Sequence, residues 1–386
     1  MQPIPITGVS AINALGRTRI EIVDALRAGR TGLAPNTIAV PFETVTGAVK
    51  EALPRLEGEL SAYETRLSQI LSYLVRELEP EIDRMKSRWA KERIGIFLGT
   101  STAGAGTTED AFAQYLKTGA LPGGYDYEKQ HTFGISVEVV RMLTGIEGPG
   151  WVVSTACTSS AKVAGSAARM IELGIIDAAV VGGMDTLCAM TLSGFWSLGA
   201  LANTYCRPFS AESVGINIGE GGGLFLLERT GDPLALLEGV GESSDAYHVS
   251  APHPEGLGAR LAMERALPAG VTPAEVDHIN AHGTGTVHND TMESRAIREM
   301  FGDAVPVIST KGYTGHTLGG AGVTELALAV YMMSDGFIAP SVGTAPEHPE
   351  LGIDMVLETR SAQLKRVLSN SFAFGGNNIS LCLGAP

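Results

Sequence analysis

One cysteine, two histidines and a lysine stand in this chain where polar, glycine-rich loops follow apolar runs. Cys157 lies in VVSTACTSSAKVAGSAARMIELG, residues 152–174, between a strand-like run and a helix built of small residues. A strand, a sharp turn and a helix start would set its sulfur near a helix N-terminus, where free N–H groups and the dipole favour a thiolate. That is a setting for a nucleophile. Taken alone, a free cysteine is more often a small buried hydrophobe, so the assignment depends on its company. His282 follows the apolar run 276–281 in HINAHGTGTVHND, Lys311 and His316 follow the run 305–310 in ISTKGYTGHTLGGAG, and Phe374 sits in a third such loop, NSFAFGGNN. Functional groups gather on loops of this kind. Two imidazoles and an ammonium converging on a thiol would give covalent catalysis with charge support.

Other readings of the same residues are weaker. HINAH suggests a metal pair, but His278 and His282 fall in a predicted strand rather than on one helix face, and neither a cysteine nor a carboxylate completes a set. No metal is expected. GEGGG at 219–223 and FGGNN at 374–378 fit neither phosphate-cradle spacing and read as tight turns. In the second, backbone N–H groups near Phe374 would be free to stabilise an oxyanion. His248, His253 and His348 read as structural.

These residues need a large frame, and 386 residues with 44% hydrophobic content supply one, either as two domains or as one composite domain. A net charge of −14 argues against a nucleic-acid or anionic-membrane surface, so an acidic partner would need a local basic patch. No run of about eighteen uncharged apolar residues marks a membrane span, and the N-terminus lacks a signal pattern, so the expected location is cytoplasmic. Four cysteines without CxxC spacing indicate reduced thiols.

Thr18 with Glu21, and Ser61 with Glu64, have capping-box spacing before helical patterns. RIGIFLGT, GWVVST, DAAVVGG, GLFLLER, ALLEGVG, VDHINAH, VPVIST and RVLSNSF read as buried strands alternating with helices, an α/β arrangement of mixed order. RTGDPLA places a boundary that divides the chain into 1–230 and 231–386, the first half carrying the cysteine and the second the two histidines. There is no internal repeat of solenoid length.

In this order, TACTSS, AHGTGT, TKGYTGHTLGGAG and NSFAFGG resemble the β-ketoacyl-acyl carrier protein synthases, over nearly the whole chain. SSDAYH and RMIELGIIDAAVVGGMD resemble the elongating, malonyl-using, Cys-His-His branch. The resemblance implies a thiolase-like fold of two pseudo-equivalent halves in five α-β-α-β-α layers, dimerised across a sheet edge. It implies a decarboxylative Claisen condensation of an acyl thioester with a malonyl thioester in fatty-acid, polyene or polyketide elongation. Cys157 would accept the acyl group, and His282 and His316 would handle the malonyl thioester. Lys311, paired with Glu293, would give electrostatic support. The N–H groups of Cys157 and Phe374 would form the oxyanion hole, with the Phe374 ring as a gate, and Thr284, Thr286 and Ser250 are assigned to substrate binding. No cofactor is implied, since substrates ride on the phosphopantetheine of an acyl carrier protein.

Several positions depart from the family pattern. Ala373 and Asn377 replace a glycine and a threonine beside the gate, and RPFSAESVGINIGEGGG lacks the usual aspartate and Arg-Asp-Gly-Phe stretch. Thr102 and Ala105 stand where bulkier aliphatics shape the acyl pocket, which implies room for a wider or stiffer chain and a specialised polyene or polyketide enzyme. Arg66, Lys117 and Lys129 are candidate carrier-docking cations. A homodimer is expected. One alternative is a subunit of a heterodimer with a chain-length-factor partner; the other is a thiolase, whose second cysteine would be Cys382.

Overall fold

The computed structural model describes residues 1–386. Eleven strands hydrogen-bond into one continuous ladder. From its centre, Ile4–Ile12, Gly221–Glu228, Ala178–Asp185, Ile94–Gly99 and Gly150–Val153 run in that order to one edge. Toward the other edge run Ala235–Ser244, Asn377–Gly384, Arg366–Ala373, His278–Asn280 and Pro306–Ile308, with Asp354–Met355 outermost. Counted outward from Ile4–Ile12 in one half and from Ala235–Ser244 in the other, the first two pairings are antiparallel and the next two parallel. The same pattern occurring twice makes two pseudo-equivalent halves, joined where Ile4–Ile6 pairs with Ala235–Leu237.

Side-chain alternation separates the layers. In Ile94–Gly99, Ile94, Ile96 and Leu98 face one core and Phe97 the opposite one; in Gly221–Glu228, Leu224 and Leu226 face the first and Phe225 and Leu227 the second. The outer face of the first half is covered by helices Arg66–Glu77 and Ile135–Thr144, that of the second by Leu257–Ala266 and Val287–Phe301. Between the halves lie Ser159–Glu172 and Ala321–Asp335, whose apolar residues form the largest core. The result is the expected α-β-α-β-α stack.

The small residues of Ser159–Glu172 serve this central layer. A Cβ on Gly322 of the facing helix would lie 2.7 Å from Ala161 Cβ, and one on Gly165 would lie 3.0 Å from Val240 Cγ1. Backbones therefore meet where ordinary side chains would hold them apart. At the periphery, Thr18 and Glu21 form the expected capping box on Arg19–Arg27. The second one fails: Ser61 donates to Gly58 O inside a 3₁₀ turn, Glu64 accepts from Leu56 N and Gln69 Nε2, and Thr65 caps Arg66–Glu77 by accepting from Ser68 N. Thr65 wins because it is the residue adjoining the helix with extended backbone and a free hydroxyl. No helix is long and apolar enough to cross a membrane.

Gly322→Val should cost about 1–3 kcal/mol, because overpacking at this crossing outweighs the gain in helix propensity. Chemical denaturation against wild type measures it.

Candidate active site

The turn after Gly150–Val153 aims the cysteine. Ala156 adopts φ +52°, a left-handed value uncommon for a residue with a side chain. Two hydroxyls hold it there: Thr158 Oγ1 donates to Thr155 O at 2.7 Å, and Ser159 Oγ donates to Ala156 O at 2.6 Å while accepting from Thr155 N. The helix begins at Ser159, so Cys157 does stand near a helix N-terminus. Its charge state differs from the expectation. Burial pushes the Cys157 thiol up to about 12, although the Lys311 ammonium draws it down. Desolvation exceeds what the helix end supplies, and Cys157 rests as a thiol whose Sγ lies 2.9 Å from His316 Nε2.

The second half supplies the imidazoles. His316 N donates to Asn217 O at 2.7 Å and His316 O accepts from Gly219 N at 2.9 Å, so the divergent segment seats this residue. His282 packs ring to ring against His316, with centroids 5.3 Å apart at 83°. Donor atoms of Cys157, His282 and His316 all lie within 4.8 Å of one another. Both histidines are held well below the ordinary value of about 6.5, by burial first and then by the Lys311 charge; for His282 the neighbouring His316 adds to this. Both rings are neutral, and each has a buried Nδ1 without a partner. The same trio is near enough to surround a cation, although no carboxylate joins it. His278 stands apart, with Nδ1 against Pro306 O.

Lys311 is buried beside this cluster, and its partner is Glu325 rather than Glu293: Nζ lies 2.5 Å from Glu325 Oε1. Glu293 is engaged elsewhere, accepting from His282 N at 2.7 Å, Gly283 N at 2.8 Å and Asn370 Nδ2 at 3.2 Å. With both oxygens committed to the backbone that carries His282, it aligns the imidazole and leaves the ammonium to the helix Ala321–Asp335. Burial pushes the Glu325 carboxyl up to about 7 even beside that ammonium.

A cavity of about 610 Å³ opens onto Cys157, His282 and His316, with Ser250, Thr284 and Thr286 in its wall. Phe374 also lines it, its ring 5.8 Å from Phe195, followed by Gly375 and Gly376 at φ +81° and +75°. Asn377 Oδ1 accepts from Lys162 Nζ at 2.9 Å, which anchors the far side of this loop. Thr102 and Ala105 do not line this cavity. Thr102 donates through N and Oγ1 to Asp185, and Ala105 is the buried first residue of Ala105–Thr118. A second cavity of about 840 Å³ lies beside them, bounded by Ala103, Gly104 and Gly106 instead.

The candidate docking cations are not at the mouth. Arg66 is tied to Glu220 at 2.8 Å and to Val49 O, Lys129 lies 3.9 Å from Asp126, and neither they nor the exposed Lys117 line the cavity. Cys382 is buried in Asn377–Gly384 within the second half's core, which removes the basis for a thiolase. Besides Glu325, sequence reasoning missed Asp185. Its buried carboxylate accepts from Thr100 Oγ1, Ser101 N, Thr102 N and Oγ1, and from Gly319 N at 2.6 Å. It thereby ties the loop after Ile94–Gly99 to the loop carrying His316. An acid closing the otherwise apolar AAVVGGMD was the available signal.

This layered fold, with a thiol and two imidazoles meeting between its halves, defines a thiolase-fold acyl-transferring enzyme. The sequence matches the Beta-ketoacyl synthase N-terminal domain over residues 1–232 and the Beta-ketoacyl synthase C-terminal domain over residues 234–345. The chain belongs to the β-ketoacyl synthase family, whose members are condensing enzymes. It is 33% identical over 308 residues to 3-oxoacyl-[acyl-carrier-protein] synthase 2 of Staphylococcus aureus, covering 75% of this chain and 76% of that protein. It is 30% identical to Nodulation protein E of Rhizobium meliloti (strain 1021), covering 98% of each. Among solved structures, the ketosynthase ApeO in complex with its chain length factor ApeC from Xenorhabdus doucetiae superposes with a TM-score of 0.93 at 38% identity, covering 100% of this chain and 98% of that one. The ishigamide ketosynthase/chain length factor gives 0.90 at 28%, covering 100% and 99%.

Alkylation of Cys157 by iodoacetamide should rise about tenfold per pH unit from about pH 7 to 9 without a plateau, since the thiolate fraction still grows there; mass spectrometry of the modified peptide follows it. Asp185→Asn sets an amide against backbone donors and should cost about 2–4 kcal/mol in denaturant unfolding.

Proposed function

We propose that this chain extends an acyl chain by decarboxylative Claisen condensation, with Cys157 as the acyl-accepting nucleophile. The observation that carries the reading is the 2.9 Å contact between Cys157 Sγ and His316 Nε2 in the wall of a cavity of about 610 Å³. Attack of Sγ on the acyl thioester carbonyl releases the donor thiol, while the Cys157 proton leaves through His316, the nearest acceptor. The transient oxyanion falls to the N–H groups of Cys157 and Phe374. Malonyl thioester then loses CO2, and the electrons of the broken C–C bond pass into an enolate. Neutral His282 and His316 can each donate an N–H to its oxygen, which is what their depressed protonation favours. The enolate carbon attacks the Cys157 thioester, and the thiolate leaves to be reprotonated.

Lys311, paired with Glu325, adds its charge to the burial that keeps the imidazoles uncharged, and Glu293 orients His282. Ser250, Thr284 and Thr286 are assigned to the thioester arm, and Phe374 to the gate. The division of labour follows residues 1–230 and 231–386. The substrates are acyl and malonyl thioesters on an acyl carrier protein, whose phosphopantetheine makes a separate cofactor unnecessary, and the cytoplasm is the proposed compartment. A polyene or polyketide pathway is the proposed setting, and likeness to ketosynthases solved with chain length factors favours a heterodimer with such a factor over a homodimer.

Incubation with an octanoyl carrier protein should add one octanoyl group to wild type and none to Cys157→Ala, as intact mass reports. His282→Ala should keep that loading yet release CO2 from malonyl carrier protein about 10²–10³ times more slowly. Full condensation by the Cys157 variant would refute the assignment.

A further inference from the structure

Cys157 and the Phe374 loop belong to different halves, and one side-chain contact joins the helix that starts beside the first to the base of the second. Arg366–Ala373 and Asn377–Gly384 form a hairpin whose last pair is Ala373 with Asn377, so Phe374, Gly375 and Gly376 are its tip. Gly375 and Gly376, at φ +81° and +75°, give the tip a backbone that no side chain restrains, and outside contacts set its position. One flank is held by backbone: Gly375 N donates to Val249 O and Gly376 O accepts from Asp245 N, each at 2.8 Å. The other flank is held by Lys162, whose Nζ donates to Asn377 Oδ1 at 2.9 Å.

Lys162 stands in the first turn of Ser159–Glu172, the helix that begins just after Cys157. Its side chain is only 18% exposed, and the carboxylate of Glu242 offsets its charge from 3.6 Å, beyond hydrogen-bond reach. Glu242 has a closer partner of its own, since its Oε1 accepts from Arg169 Nη1 at 3.0 Å. The nearest acceptor to the Lys162 ammonium is therefore the Asn377 amide, not the carboxylate. Helix and hairpin tip are joined by that one bond.

We propose that Lys162, acting through Asn377, is a positioning residue for the oxyanion hole, fixing the place of the Phe374 N–H relative to the Cys157 N–H. The inference rests on the condensing reading above. There Sγ bonds to the acyl carbon, the carbonyl π electrons move onto oxygen, and the Cys157 proton passes to His316. Collapse of the oxyanion then breaks the bond to the donor sulfur, which leaves and takes up that proton. Both N–H groups must already point to where the charge develops, because donors that have to turn toward it lose part of their stabilisation. One donor sits beside the start of the helix and the other on the glycine-rich tip, so a strut between helix and tip sets their separation.

The test compares two reactions of Cys157. Octanoyl transfer from octanoyl-pantetheine forms an oxyanion, whereas alkylation by iodoacetamide displaces iodide at a saturated carbon and forms none. Lys162→Met should lower the maximal rate of octanoyl transfer about tenfold with KM within about twofold of wild type, less than the loss of a donor outright because the amide is displaced and not removed. Alkylation should stay within about twofold of wild type, which also shows that the variant is folded. Asn377→Ala should lose as much, and the double variant no more than either single one, as two residues in one contact do. An unchanged maximal rate in either single variant, equal losses in transfer and alkylation, single losses that multiply in the double variant, or a faster transfer would overturn the inference; the last would make the pair a latch on the gate. Wild-type protein that is alkylated at Cys157 but takes no octanoyl group would overturn the condensing reading and this inference with it.

Discussion

Cys157 and His316 are 159 residues apart in sequence and belong to opposite halves, yet their side chains touch at 2.9 Å. That contact is possible only because the two central helices approach without bulk between them, Gly322 against Ala161. Any larger residue there would separate the halves, and the thiol and the imidazole would part with them. The Asp185 carboxylate reinforces the same junction from the side, accepting from Ser101 N in one half and Gly319 N in the other. Packing sets the distance, and a buried anion satisfied by backbone donors fixes the register.

The electrostatics follow from that burial. Removing water penalises every charge in the site, so the thiol is held protonated and both imidazoles neutral. Lys311 is tolerated because Glu325 meets it in the same dry layer. The site is thus electrically quiet at rest, with one paired cation behind two neutral donors. Chemistry that generates a transient negative charge finds hydrogen-bond donors already oriented, with no resting anion to displace.

Much of this frame was legible in the sequence. Short apolar runs followed by polar loops gave the strands that deliver Cys157, His282 and His316, and the crowd of alanines in 161–168 marked a central helix. The first strand, Ile4–Ile12, was missed because proline, threonine, glycine and serine break its apolar run, while its pairing partners lie more than two hundred residues away. Glu325 was missed as the partner of Lys311 for a similar reason: Glu293 is as near to a histidine in sequence, and only the packing of Ala321–Asp335 decides between them. The protonation of Cys157 was misjudged because a helix terminus is visible in a sequence and the depth of burial is not.

The divergent segment 209–218 has two jobs. Val214 and Ile216 shape the cavity wall, and one residue later Asn217 presents the carbonyl that receives His316 N, while its own side chain bridges Cys206 N and Thr204 O. Wall and imidazole therefore share a single stretch of backbone. A lineage that remodels this loop to admit a different chain cannot slide it along the neighbouring strand without dragging the imidazole off the sulfur, so variation is confined to the outward positions while the bridging amide stays put.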